Sequence, residues 1–342
     1  MDDGRHGDVR GPLVEEFSDG KLRGPRQHHA EGALVIVLEH EDDREGKVGI
    51  GHRRAGDQEA PTSGHRAIFA CASIEAMAAN PSVALTISAH DPLGGAGLAA
   101  DLTTFAALGV HGAVAVTAVT AQRFGSVDRV EPTSLELLEA QLDGIVASLP
   151  IAAVKIGLLG SAEAVTLVAD RVAAGQLPAP VVDPVLIDGR GKRFVGSDIE
   201  AAMRDRLFPL AAVLTPNLGE VAVLTGTDVV SPEDVKAAAE PLTRLGAGLV
   251  IATGGAAPGA LAVDVAVTAD GAVSLVEAPW IDTPHVRGSG CTFAAATAAR
   301  IALGDEPLEA VAHAKRFVSG RLAASRWTGL GGAGPVAHWM DP

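Results

Sequence analysis

From Val83 onward, apolar and polar positions alternate in a repeating order. Val83-Ala84-Leu85-Thr86-Ile87-Ser88 is an apolar run of strand length. A loop, Ala89-His90-Asp91-Pro92-Leu93-Gly94-Gly95-Ala96-Gly97, separates it from Leu98, Leu102, Phe105 and Leu108 at helical spacing, with Gly109 as the stop. Residues 113–119 read as a second strand leading into Thr120-Ala121-Gln122. Strand, glycine loop, helix and strand make the βαβ unit of a parallel sheet, whose ligands sit at the carboxyl ends of the strands.

The alternation continues to the end of the chain. Helices are predicted over 135–149, 162–174, 199–208, from 217 onward, over 232–245 and over 308–325. Strands are predicted over 153–157, 180–183, 212–214 and 249–252, with an antiparallel pair, 260–267 and 272–276, around Ala269-Asp270-Gly271. Residues 184–195 read as an irregular or hairpin segment turning at Asp188-Gly189-Arg190-Gly191. Arg287-Gly288-Ser289-Gly290-Cys291-Thr292-Phe293 opens an alanine-rich helix. The expectation is one α/β domain, three-layer α/β/α with a mostly parallel central sheet.

Residues 1–77 follow another pattern. They hold 25 charged residues and six of the 11 histidines, and one apolar run, Ala33-Leu34-Val35-Ile36-Val37-Leu38. This segment reads as a disordered or spurious extension, with Met77 as an alternative start, and residues 78–342 as the folded domain. The histidine spacing (6, 28, 29, 40, 52, 65) matches no metal-ligand motif.

Composition narrows the classes of function. A net charge of −15 and 3% aromatics argue against nucleic acid. No apolar run reaches a membrane span, and the first residues show no secretory leader. Two cysteines far apart, Cys71 and Cys291, fit a reduced cytoplasmic chain.

The chemistry concentrates in short motifs. Gly288, Ser289 and Gly290 open a helix whose unpaired N–H groups and positive dipole end suit an anion. Cys291 falls in that first turn, where the dipole and the adjacent Arg287 are expected to lower its pKa. Asn217-x-x-Glu220 has the form of a capping box, and equally of an oxygen site for Mg²⁺ beside phosphates. Asp183 ends a strand and is a further oxygen ligand candidate. Gln122 offers an amide donor and acceptor to a heterocycle, and Asp101 an acceptor for an amino group. Neither G-x-G-x-x-G nor G-x-x-x-x-G-K-[ST] occurs.

Together these motifs resemble the hydroxymethylpyrimidine/phosphomethylpyrimidine kinases of thiamine biosynthesis, a family with the ribokinase-like fold. The resemblance rests on Asp91-Pro92, Gly94-Gly95-Ala96-Gly97, Ala100-Asp101-Leu102, Thr120-Ala121-Gln122, Lys155-Ile156-Gly157, Asp183-Pro184-Val185, Thr215-Pro216-Asn217-Leu218-x-Glu220 and Gly288-Ser289-Gly290-Cys291-Thr292, in that order over about residues 83–338. It implies ATP as co-substrate and Mg²⁺ as cofactor, the metal held by Glu220 and Asp183 through water. Gly288, Ser289 and Gly290 become the anion hole, and Cys291 the residue that deprotonates the substrate hydroxymethyl group. Asn217, Glu220, Asp183, Thr253 and Gly254 would serve ATP and phosphate. Gln122, Asp101, Ala89, Thr120 and Leu158 would line the pyrimidine pocket. A homodimer is compatible with this reading.

The chain departs from the family pattern at Ala89-His90, Leu93, Arg123, Leu158, Thr253 and Arg287, where Gly-Ser or Gly-Thr, Ser, Asn, Met, Lys and His are usual. Pyridoxal-type kinases and a non-catalytic pyrimidine-binding homologue are the alternative readings.

Overall fold

The computed structural model of the chain describes residues 80–342 apart from 188–192, 257–260, 327–333, 339 and 341–342, and three backbone strands before them. The chain divides into two units, Met1–Asn80 and Pro81–Pro342. In the first, β1 (Leu34–His40) pairs antiparallel with both β2 (Val48–Arg54) and β3 (Ile68–Phe69). β1 contains the apolar run noted in the sequence.

The second unit is built on a nine-stranded sheet in the order β12-β11-β10-β9-β8-β7-β4-β5-β6. Its strands are β4 (Val83–His90), β5 (His111–Arg123), β6 (Ser126–Pro132), β7 (Ile151–Ile156), β8 (Val181–Val182), β9 (Val213–Leu214), β10 (Leu249–Ala256), β11 (Leu261–Thr268) and β12 (Val273–Pro279). The stretch from β10 to β5 is parallel throughout, and antiparallel strands stand at both edges. The mostly parallel α/β expectation is met.

Period-two side-chain alternation divides the core into two. Leu85, Ile87, Val154, Ile156, Val182, Leu214 and Val250 face one layer. It holds α2 (Leu135–Ser148), α3 (Ala162–Ala173), α4 (Ser197–Ala202), α5 (Leu218–Thr225), α6 (Pro232–Ala237) and α7 (Ala239–Thr243). Ala84, Ala153, Val181, Val213, Leu249 and Ile251 face the other, with α1 (Gly97–Ala107), α8 (Ser289–Ala302) and α9 (Pro307–Ser325). Strands buried on both faces explain why their sequences run apolar without a break.

Three elements differ from the sequence expectation. β6 was not foreseen: its residues are mostly exposed, and its two valines, Val127 and Val130, lie three apart rather than two. The helix expected over 199–208 is α4 followed by one π-helical turn, Met203–Leu207, and a 3₁₀ turn, Phe208–Leu210. The helix expected over 232–245 is broken at Ala238 into α6 and α7. Pro241 has no N–H to give the carbonyl four residues back and crowds it, so one continuous helix is disfavoured there. The 188–191 turn lies outside the described residues, although Ile187 and Arg193 on either side pair as an antiparallel bridge. None of the described helices is long and apolar enough to cross a membrane.

Candidate active site

The carboxyl ends of β4, β5, β7, β8 and β9 and the first turn of α8 surround a cavity of about 520 Å³. That volume suits a small heterocycle with phosphate beside it. Of the residues singled out in the sequence, Ala89, Thr120, Gln122, Leu158, Asp183, Asn217, Glu220, Gly288, Gly290 and Cys291 all line it.

The α8 end is shaped by two glycine turns in contact. Gly288 is the N-cap and adopts φ +79. A Cβ there would fall 1.8 Å from the Gly95 carbonyl oxygen, so any side chain would push the two loops apart. No acceptor among the described residues takes the Gly290 or Cys291 N–H. Ser289 differs: its N–H donates to the Val286 oxygen at 3.1 Å, and it does not line the cavity. The open donors of the anion hole are therefore those of Gly290 and Cys291.

The acidic wall is a clamp. Asn217 caps α5 and accepts from the Glu220 N–H at 3.0 Å, while Glu220 Oε2 accepts from the Asn217 N–H at 2.9 Å. This is the capping box expected from the sequence, but Glu220 does more. Its Oε1 accepts from the Leu186 N–H at 2.9 Å. Burial, reinforced by the Asp183 charge, raises the Glu220 pKa to about 7. Burial raises the Asp183 pKa, which the Lys155 charge only partly offsets. Between these two acids Val185 is held at φ +44, a left-handed conformation that costs a β-branched residue roughly 1–3 kcal/mol.

Three expectations need correction, for Asp101, Ser289 and Cys291. Asp101 does not line the cavity: it is fully buried, and its Oδ2 accepts from Lys155 Nζ at 2.9 Å and Thr86 Oγ1 at 2.6 Å. A carboxylate near a helix start looks exposed in one dimension, but α1 turns this one inward against β4 and β7. Thr253 and Gly254 also stand off the cavity. Thr253 is bridged to Asn217 and gives its N–H to the Pro216 oxygen, and Gly254 gives its N–H to Asp264 Oδ1. Ser289, as described above, turns its N–H away. Finally, the Cys291 thiol is not acidified. Burial, which Lys155 only partly offsets and Asp183 reinforces, pushes it up to about 12. Arg287, expected to help, commits its guanidinium to Asp91 and Gln122.

Two participants, Asp91 and Lys155, were given no chemistry in the sequence. Arg287 and Asp91 both line the cavity. Lys155 lies beneath it with no exposed surface. Burial works against its ammonium, but Asp101, then Cys291 and Asp183, outweigh this and hold its pKa above the usual lysine range. A lysine at an odd position in an otherwise apolar strand was the available signal.

Two outcomes follow from this buried chemistry. Lys155→Met should cost about 3–5 kcal/mol by stranding the Asp101 carboxylate, and Asp101→Leu combined with Lys155→Met should recover most of it. Denaturant melts of the three proteins decide this, and an unchanged single variant would contradict it. With a thiol near 12 there is little thiolate at neutral pH, so iodoacetamide should modify Cys291 slowly at pH 7 and about tenfold faster per pH unit up to pH 10. The measurement is peptide mass spectrometry on the Cys71→Ser chain, and rapid labelling at pH 7 would show an acidified thiol.

Against known proteins, residues 91–337 match the family described as phosphomethylpyrimidine kinase. A hydroxymethylpyrimidine/phosphomethylpyrimidine kinase of Rhizobium meliloti (strain 1021) is 40% identical, over 76% of this chain and 99% of that protein. Among solved structures, an ADP complex of Bacillus subtilis pyridoxal kinase matches with TM-score 0.68 and 34% identity over 76% of this chain and 98% of that one. A phosphomethylpyrimidine kinase from Clostridium difficile 630 matches with TM-score 0.60 and 32% identity over 69% and 97%. The fold is thus ribokinase-like, and the chain belongs to the phosphomethylpyrimidine kinase family.

Proposed function

We propose that this chain transfers the γ-phosphoryl group of ATP to the hydroxymethyl group of 4-amino-5-hydroxymethyl-2-methylpyrimidine, and then to the monophosphate so formed, as a step of thiamine biosynthesis. The observation that carries the reading is the meeting, in one cavity, of the Cys291 thiol, the open N–H groups of Gly290 and Cys291, and the Gln122 carboxamide. Phosphoryl transfer needs little covalent help. Positioning, a base and charge stabilisation supply most of it.

In this reading Thr120, Leu158, Ala89 and Gln122 hold the ring, and the α8 terminus receives the transferred group. Cys291 rests as the thiol, so it takes the hydroxyl proton only as it gives up its own, for which the neighbouring Asp183 carboxylate is the acceptor, and Lys155 beneath offsets the negative charge on both. Asn217 and Glu220 face the phosphates.

The oxygen donors Asp183, Glu220 and Asn217 suit Mg²⁺, a hard cation. Both Glu220 oxygens already accept from backbone amides, of Asn217 and Leu186, so it fits a metal held through water rather than by direct contact. When bound, the ion supplies charge neutralisation between the phosphates.

A pyridoxal-type kinase is the second reading, favoured by the likeness to the Bacillus subtilis pyridoxal kinase fold. A coupled ADP-release assay over pyrimidine and pyridine alcohols separates the two. Release with neither would leave a binding protein without activity. The kinase is placed in residues 78–342, with 1–77 adding nothing to turnover, and the protein is placed in the cytoplasm.

Four outcomes are expected. Cys291→Ala should lower kcat by roughly 10²–10⁴, the usual contribution of a positioned base. An active variant would remove the base from the mechanism. Glu220→Gln must turn a donor toward a backbone N–H, so it should raise the Mg²⁺ concentration needed for half-maximal rate. In the wild type, the native Glu220 carboxyl keeps its proton up to about pH 7, while the unfolded one releases it near 4.5. The unfolded state therefore binds fewer protons in this window, and stability should fall as pH rises through it. Melts of wild type and Glu220→Gln across that range test this: the variant should lack the slope. Starting the chain at Met77 should leave melting temperature and kcat within measurement error of the full chain. A clear drop in either would assign the first unit a part in the kinase.

A further inference from the structure

Gln122 and Arg287 come from opposite ends of the domain, the end of β5 and the residue before the α8 turn, yet their side chains meet over the cavity. Arg287 Nη2 donates to Gln122 Oε1 at 2.8 Å and to Asp91 Oδ2 at 3.0 Å. A guanidinium has donors only, so the atom of Gln122 that it touches must be the carbonyl oxygen. The amide nitrogen is left as the other end of the group, with no acceptor among the described residues.

The contact is built rather than incidental. Asp91 is 3% exposed, and its second oxygen, Oδ1, accepts from the Leu93 N–H at 2.9 Å, so the anchor cannot swing. The Arg287 backbone is fixed on both sides, its N–H to the Gly334 oxygen at 3.3 Å and its oxygen from the Val336 N–H at 3.0 Å. Its side-chain stem passes over Gly95, where a Cβ would lie 3.5 Å from both Cδ and Nε. Gln122, Asp91 and Arg287 all line the cavity.

We propose that Arg287 is a specificity-determining residue, acting by locking the Gln122 carboxamide in one of its two orientations. An unrestrained carboxamide flips and answers either order of donor and acceptor on a ligand edge. A locked one offers a donor at Nε2 and only the remaining lone pair of Oε1 beside it. The ligand edge must then carry an acceptor opposite the nitrogen and a donor opposite the oxygen. A ring nitrogen next to an exocyclic amino group has that order, as in an aminopyrimidine. A pyridine alcohol with a ring hydroxyl lacks the paired amino donor and gains nothing from the lock. This inference rests on the kinase reading above and adds which ring edge the site selects.

The test uses the full chain and Arg287→Met, which keeps the stem and removes the donors. Steady-state kinetics are measured with 4-amino-5-hydroxymethyl-2-methylpyrimidine and with pyridoxal, and ligand-induced melting shifts are measured with each ring alone. The ratio of kcat/KM, aminopyrimidine over pyridoxal, should fall about tenfold, the worth of one neutral hydrogen bond. The loss should lie in KM for the aminopyrimidine, and its melting shift should shrink while that of pyridoxal holds. Asp91→Asn, which loosens the anchor without removing the arginine, should move the ratio the same way by less, and it stands in if Arg287→Met does not fold. An unchanged ratio, or an equal loss for both rings, overturns the proposal. Turnover of neither ring by the wild type sinks the kinase reading instead, and the two melting shifts then judge the Arg287 lock by themselves.

Discussion

The Asp101–Lys155 contact sets the conditions for the rest of the site. Two opposite charges lie 2.9 Å apart with no surface exposed, one on α1 and the other on β7, and Thr86 of β4 ties the third element in. Such a pair adds little net stability, because desolvation offsets most of its attraction. Its consequence is positional. One permanent positive charge is fixed in a low-dielectric floor directly under Asp183 and Cys291, where a charge acts far more strongly than in water. From a position with no exposed surface it partly offsets the effect of burial on the protons of both groups.

Above that floor, the site depends on loops that are short and interlocked. The Gly94–Gly97 turn and the Gly288 turn meet backbone to backbone, and residues 334–336 pair with Arg287 behind them. Segments separated by nearly two hundred residues thus share one geometry. The clamp of Glu220 on the Leu186 N–H does the same on the opposite wall, next to the left-handed Val185.

How much of this was legible in the sequence depended on whether the signal was local. Strands buried on both faces announce themselves as unbroken apolar runs, so the sheet was readable from Val83 to Val276. β6 was not, because an exposed edge strand carries no such run. The capping box at Asn217 is a four-residue pattern and was readable, but the bond from Leu186 to Glu220 crosses 34 positions and was not. Asp101 was given to the ligand because its partner Lys155 lies 54 residues on. The thiol of Cys291 was expected to be acidic from its helix position and from Arg287 nearby in the sequence. Burial, which depends on the whole fold, outweighs that dipole.

The alanines of α8 bear on how firmly Cys291 is held. Ala294, Ala295, Ala296, Ala298 and Ala299 have no exposed surface, enclosed between the sheet, α1 and α9. Burying an alanine forfeits no rotamer freedom, whereas each leucine or methionine in its place would forfeit up to about 2 kcal/mol of side-chain entropy. Apart from Thr292, Phe293 and Thr297, the buried face of this helix has no side chains to rearrange, which leaves it few alternative seatings. The thermal wandering of its first turn is then set by backbone stiffness alone, and the reacting atoms inherit that stillness.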